Sequence, residues 1–221
     1  MKEIELDSRA KSLLSVLIKA KEIVDKKIPL QPPKQRSEEL QNVLNSYKAM
    51  SSKIGQNGIL YSAIANCNLL LESVATEDEH KVKYYEQAVI WAKKAVECDP
   101  NNASLHAYLG LIFYIANVDY VASADEFRKA ISLGTCDAGV YAMAAFIHQA
   151  SVDSPVDKKE IIEWLETAVR LMPMNPDYHA FLGRIYFENG QTTEAAREWT
   201  LALLSSGPLQ KGYLETIKSH I

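Results

Sequence analysis

The stretch from Pro176 to Pro208, PDYHAFLGRIYFENGQTTEAAREWTLALLSSGP, decides the fold. An α-helix makes one turn in 3.6 residues, so Leu182 and Tyr186 lie on one face of a first helix. Asn189-Gly190 is a pair typical of turns. The stretch therefore predicts two short helices that are joined by a tight turn and run antiparallel.

Small residues predict that these two helices approach each other closely. Ala195, Trp199 and Ala202 are spaced four and three apart, so they share one face of the second helix. Gly183 on the first helix and the two alanines leave room for the approach, and Trp199 fills the space that remains. The spacing thus predicts a packed helical hairpin.

The same pattern recurs along the chain at nearly constant intervals. The last small residue of each second helix is Ala95, Ala130, Ala168 or Ala202, and the intervals between them are 35, 38 and 34 residues. A larger packing position keeps the same phase through Ala92, Phe127, Leu165 and Trp199. A small position on the first helices recurs at Gly110, Ala145 and Gly183. Equivalent positions on both helices of the hairpin recur at nearly the same intervals. This regularity predicts an array of similar hairpins.

This pattern resembles the tetratricopeptide repeat (TPR), a helical hairpin of about 34 residues. The resemblance implies an all-α fold, a right-handed superhelix of antiparallel hairpins (a TPR-like α-solenoid), and it implies protein binding. We place about four repeats over residues 58–208, at 58–100, 101–135, 136–174 and 175–208. In the first and third repeats, polar segments at Thr76–His80 and Ser151–Lys159 predict long loops between the helices.

Residues 1–57 are interpreted as a helical extension with a proline-rich connector. Asp7 and Ser8 are candidate caps for an amphipathic helix to Lys26, and the prolines of Ile28–Arg36 favour an extended connector. A second helix is predicted from Ser37 until glycines stop it at Gly55 and Gly58. The pair is either a degenerate repeat or a family-specific extension. Its first helix could pack on the repeats, self-associate or fill the groove.

Residues 209–221 predict a last amphipathic helix after Gly207-Pro208. Its expected role is to cover the open end of the solenoid.

In solenoids of this kind, the first helix of each hairpin lines the concave side. Positions that packing does not use are therefore expected in a groove that binds a partner: Ser62, Asn66, Leu69, Ala107, Leu111, Tyr114, Ala142, Phe146, Gln149, Ala180, Arg184 and Phe187. The set is mostly small, apolar or aromatic. It predicts a partner that offers an apolar helix face or an extended hydrophobic segment.

Some TPR proteins hold the carboxylates of chaperone C-termini with a clamp of lysine, asparagine and arginine. Only Asn66 and Arg184 stand at suitable positions here, and Leu111, Ala142 and Phe146 supply no cation. The sequence predicts no such clamp.

Enzymatic and metal sites are not indicated. The five histidines form no zinc-binding spacing, and no phosphate-binding glycine loop or nucleophile elbow occurs. His106 and His179 share one repeat column and are interpreted as packing residues. We expect no enzyme activity, no cofactor and no metal.

The chain's charge and its N-terminus give further expectations about location and partners. Residues 1–36 carry nine Lys/Arg and five Asp/Glu, within a net charge of −4 for the chain. Because acids and apolar residues are interspersed, a solvated helix face is favoured over a nucleic-acid or membrane contact. No signal peptide is indicated, and the three cysteines form no CxxC pair. A cytoplasmic protein with reduced thiols and no nucleic-acid partner is expected.

Two functions from different classes remain open. One is a non-enzymatic adaptor or scaffold that binds a partner segment in the groove. The other is a structural subunit of a multiprotein or homo-oligomeric assembly, held through the N-terminal helix and the convex face. Tethering to a membrane through the basic N-terminal helix is a third and weaker alternative.

Overall fold

The computed structural model describes residues 32–115, 119–150 and 156–205. These residues form nine α-helices and no strand: α1 (Pro33–Ile54), α2 (Gly58–Val74), α3 (Asp78–Cys98), α4 (Ala103–Ile115), α5 (Tyr120–Ser132), α6 (Ala138–Ala150), α7 (Lys158–Leu171), α8 (Pro176–Glu188) and α9 (Thr192–Ser205). The helices predicted before residue 27 and after residue 208 lie outside the described residues, as does most of the Ser151–Lys159 segment.

The described helices divide into two compact units. Unit 1 holds α1 to α4 and ends at Asp119, and unit 2 begins at Tyr120 and holds α5 to α9. Within each unit, helices that follow one another along the chain pack together. Short connections make such neighbours antiparallel.

Unit 1 is built around a core shared by α1, α2 and α3. Leu40 and Leu44 of α1 pack with Leu60, Ile64 and Leu71 of α2, and all five are almost completely buried. Tyr61 and Trp91 close the α2/α3 side with their rings 5.2 Å apart. The opposite face of α1 is polar and exposed, so in unit 1 α1 covers the apolar side of α2.

Three boundaries differ from the sequence prediction. Helix α1 begins at Pro33, within the predicted extended connector, because a proline at the first helical position lacks only an N–H that would have no helical partner. Gly55, with φ of 87°, ends α1 as predicted. Gly58 begins α2 instead of stopping α1, and it sits where a Cβ would lie 3.0 Å from the Ala95 carbonyl oxygen.

The third boundary concerns the loop that was predicted at Thr76–His80. Helix α3 already begins at Asp78, so only residues 75–77 connect α2 and α3. Asp78 and Glu79 lie in the first turn of α3, where acidic side chains interact favourably with the helix dipole. The additional residues of this hairpin therefore lengthen its two helices and not the loop between them.

Unit 2 packs around the small and large columns that the sequence predicted. Ala130, Ala168 and Ala202 are fully buried, and so are Leu165 and Ala145. In the last hairpin a Cβ on Gly183 would lie 2.5 Å from Cδ1 of Trp199, so only glycine lets the ring sit against α8. The close approach of α8 and α9, and the turn at Asn189-Gly190 with φ of 79° at Gly190, are confirmed.

The buried cysteine of unit 1 offers a test of this packing. Cys67 is 2% exposed and burial raises the pKa of its thiol to about 12, whereas Cys136 is exposed. Since the thiolate is the reactive form, a variant that retains only Cys67, Cys98→Ser with Cys136→Ser, should react with a disulfide reagent only after unfolding. The raised pKa also predicts stability that is complete below the ordinary value of 9.0 and falls as pH rises from there towards 12.

Chemical unfolding at increasing pH measures the second effect, with the same chain carrying Cys67→Ser as its control. A native Cys67 that reacts as fast as a free thiol would contradict the burial of this residue.

Candidate functional site

Helices α6 and α8 of unit 2 lie side by side and expose an aromatic surface. Phe146 of α6 meets Phe181 of α8 edge to face, with ring centroids 6.2 Å apart. Phe146 is 42% exposed and Phe187, further along α8, is 36% exposed. We call this the α6/α8 surface and define it by six residues: Phe146, Gln149, Phe181, Arg184, Phe187 and Glu188.

A closed ring of hydrogen bonds crosses this surface between the two helices. Arg184 donates from Nη1 to Oε1 of Glu188 at 3.3 Å and from Nη2 to Oε1 of Gln149 at 3.1 Å. Gln149 in turn donates from Nε2 to Oε2 of Glu188 at 3.1 Å. The guanidinium carbon of Arg184 also lies 4.9 Å from the centroid of the Phe181 ring. The positive charge of Arg184 is therefore balanced by Glu188 within the surface, and the two helices are joined through Gln149.

Buried residues of α8 and α9 support the surface from beneath. Trp199 of α9 lies 5.6 Å from the Phe187 ring between centroids, and its indole Nε1 donates to the Ala180 carbonyl at 3.3 Å. At the start of α8, Asn175 caps the helix by accepting from the backbone N–H of Asp177 at 2.9 Å. The exposed rings thus lie on a hairpin whose two helices are packed together.

Two buried histidines anchor the turns that precede α4 and α8. Nε2 of His106 donates to the Pro100 carbonyl at 2.9 Å, and Nε2 of His179 donates to the Pro173 carbonyl at the same distance. His179 also contacts Oε2 of Glu198 through Nδ1 at 2.7 Å. Both were interpreted as packing residues and both are buried. The turn-anchoring bonds add a polar role that the sequence did not indicate.

In unit 1, a cleft of about 520 Å³ that is open to solvent lies between α2 and the start of α4. Its walls carry short polar and apolar side chains: Ile59, Ser62, Ala63, Asn66, Asn102, Ser104, Leu105 and Tyr108. The Tyr108 hydroxyl spans the two helices and donates to Oδ1 of Asn66 at 3.4 Å. We call this space the α2/α4 cleft.

No protein-family model matches the sequence, and no curated protein is significantly similar to it. Solved structures do match the arrangement of its helices. YrrB, described as a TPR protein with an unusual peptide-binding site, matches with a TM-score of 0.62 and 18% identity over 80% of this chain and 92% of its own. The chain has the tetratricopeptide-repeat fold.

Two further solved structures are similar over most of both chains. PilF of Pseudomonas aeruginosa has a TM-score of 0.67 at 13% identity, covering 97% of this chain and 90% of its own. MamA of Desulfovibrio magneticus RS-1, from residue 41 to its end, has a TM-score of 0.59 at 16% identity, covering 96% and 97%. Structural similarity at identities this low shows the fold alone. That fold agrees with the all-α, TPR-like fold class predicted from the repeating positions.

The positions predicted for a groove in this TPR fold are all at least partly accessible. In unit 1 the exposed members are Asn66 and Leu111, and Leu69, Ala107 and Tyr114 are half-buried. In unit 2 Phe146 and Phe187 are exposed, whereas the remaining members are half-buried: Ala142, Gln149, Ala180 and Arg184. The structure brings Phe146, Gln149 and Arg184 together in unit 2, and Phe187 lies three residues after Arg184 on α8. The assignment of these residues to a binding groove stays a prediction.

Sequence reasoning missed Phe181, Glu188 and Tyr108. Glu188 is four residues after Arg184 and Phe181 is three before it, so both share its helix face and the spacing could have found them. The bond from Gln149 to Glu188 joins two helices and needed the tertiary structure. Tyr108 has no comparable sequence signal, because its role depends on the distance between α2 and α4.

In the described ranges, no helix combines the length and the apolar character that crossing a membrane requires. Within the same ranges, no three side chains of His, Cys, Asp or Glu come together as metal ligands would.

Proposed function

We propose that this chain is a non-enzymatic adaptor that binds a segment of a partner protein on the exposed faces of helices such as α6 and α8. The observation that carries the proposal is the exposure of Phe146 and Phe187 on helices α6 and α8, where the charge of Arg184 is already paired with Glu188. Large aromatic side chains that are exposed and rigidly supported are typical centres of protein interfaces.

The chemistry of the α6/α8 surface favours an apolar helix face or an extended hydrophobic segment as the partner. Arg184 already has Glu188 as its counter-ion, so the partner needs to bring no charge. Ala142 and Ala180 are small and partly accessible on the same two helices, which leaves room for side chains from the partner. The peptide-binding site named for YrrB, a protein of the same fold, is consistent with this use.

The test compares three full-length proteins in affinity purification from the native lysate: wild type, Phe146→Lys and Leu204→Lys. Leu204, on α9, is 77% exposed and lies outside the α6/α8 surface, so it controls for a new lysine in unit 2. We expect a partner that Phe146→Lys loses and Leu204→Lys retains, with affinity for the purified partner reduced at least about tenfold. Melting temperatures should match among the three proteins.

Partners that all three proteins retain would contradict binding on the α6/α8 surface. The same result would favour the alternative function, a structural subunit that uses other faces of the chain. The predicted cytoplasmic location and self-association through the N-terminal helix stay predictions.

A further inference from the structure

We infer that His148 makes helix α6 sensitive to acid: protonation of its imidazole releases α6 from α5 and α7 and takes the α6/α8 surface apart. This property belongs to unit 2 itself and does not rest on the proposed function. Histidine is the side chain whose charge ordinarily changes between pH 5 and 8, so a buried histidine between packed helices can couple that change to their packing.

His148 lies on the buried side of α6. Only 4% of the residue is exposed, and its neighbours on the same face, Ala144, Ala145 and Ile147, are also buried. The imidazole ring packs against the indole of Trp164 on α7, with ring centroids 5.4 Å apart and planes tilted by 51°. The ring therefore fills part of the space between α6 and α7, where water has little access to hydrate a charge.

The helices packed around His148 disfavour a positive charge on its ring. Burial lowers the pKa of His148 below its ordinary value of 6.5, and the guanidinium of Arg128 on α5 lowers it further. Asp125, one turn earlier on α5, acts in the opposite direction but does not outweigh the other two causes. Trp164, which faces the ring from α7, carries no charge. At neutral pH the buried ring is therefore uncharged.

Residues on the other side of the same helical turn belong to the α6/α8 surface. Phe146 packs against an aromatic ring of α8, and Gln149 donates to Glu188, whose carboxylate pairs with Arg184. The two charged groups that α8 brings to this surface thus balance each other. Since α6 carries both His148 and these contacts, a displacement of α6 removes Phe146 and Gln149 from α8.

The direction of the pH effect follows from where the proton binds. When α6 is open, His148 takes up a proton as pH falls through about 6.5, whereas in the packed helix its lowered pKa delays the uptake. The stability of the packed form is therefore complete above this value and decreases as pH falls below it. Because one proton is involved, the equilibrium constant for opening α6 can rise at most about tenfold between pH 7.5 and 5.5.

The test is native-state hydrogen exchange of the full chain by NMR at pH 7.5 and 5.5. Protection factors are compared because they remove the effect of pH on the intrinsic exchange rate. We expect the protection of α6 amides to fall about three- to tenfold at the lower pH. Helix α2 of unit 1 contains no histidine and serves as the internal reference, whose protection should stay within about twofold.

Two variants and one control separate His148 from the other titrating groups. His148→Phe keeps a ring against Trp164 that cannot be protonated, and His148→Gln keeps a neutral polar side chain. In either variant the protection of α6 should be the same at both pH values. His80→Gln changes an exposed histidine of α3 and should leave the wild-type response intact.

Three results would each overturn the inference. One is a wild-type α6 whose protection does not change with pH, and another is a fall of the same size in a folded His148 variant. The third is an NMR titration of the wild-type ring that gives His148 a pKa of 6.5 or above. None of these measurements needs a partner, so a failure here would leave the proposed function standing.

Discussion

Replacing Trp199 by alanine is expected to lower the free energy of unfolding by about 3–5 kcal/mol, the range for truncating a large buried aromatic side chain. The ring is 6% exposed and packs so closely on Gly183 that a Cβ there would lie 2.5 Å from Cδ1 of the ring. Its removal also leaves the Ala180 carbonyl without the indole N–H and takes away the support beneath Phe187. Denaturant unfolding followed by far-UV circular dichroism measures the loss.

Leu204→Ala is the matched control because Leu204 is also a large apolar residue of α9, but its side chain is exposed. Its effect should stay within about 0.5 kcal/mol. Hydrogen exchange should show the Trp199→Ala effect first in α8 and α9, since repeat arrays lose stability locally. A loss below about 1 kcal/mol for Trp199→Ala would mean that the ring does not fill the space between these helices.

The second large effect is expected for Gly183→Ala, although alanine is the better helix former. The new methyl carbon would lie 2.5 Å from Cδ1 and 2.6 Å from Nε1 of Trp199, so the ring or the helix must move. Overpacking of this kind costs about 1–3 kcal/mol, and it works against the gain of about 1 kcal/mol in helix propensity. Denaturant unfolding should therefore show a net destabilisation.

A double-mutant cycle with Trp199→Ala separates the two contributions. Once the ring is absent, Gly183→Ala should be neutral or stabilising by up to about 1 kcal/mol, because only the helix propensity remains. A Gly183→Ala cost that is the same with and without the ring would show that the two residues do not touch. The cycle thus tests the contact between residues 183 and 199 and not the general sensitivity of the hairpin to substitution.

Much of the fold was predictable because hairpin packing repeats a local pattern. Ala95, Ala130, Ala168 and Ala202 were assigned to one packing position from helical spacing and their regular intervals, and all four are buried. The errors fell at helix ends, as at Pro33 and Gly58. At these positions a helical and an extended backbone differ little in free energy, and tertiary packing decides which one forms.

The candidate site was predicted less completely. Helical spacing predicted that Phe146, Arg184 and Phe187 are accessible. Phe146 and Phe187 are exposed, and Arg184 is half-buried. The spacing did not show that Arg184 is neutralised by Glu188 and joined to Gln149, which belongs to the other helix. Residues 35 positions apart meet only after two hairpins have packed, and no periodicity along the chain reports that distance.

The sequence by itself determined the helices, the small and large positions at which they meet, and the exposed faces that remain. Those features follow from the 3.6-residue period and from side-chain size, and both are local properties of the chain. Only the tertiary structure decided the polar ring of Gln149, Arg184 and Glu188 and the α2/α4 cleft beside Asn66. Both depend on how far apart two packed helices lie, and that distance is set by every side chain between them.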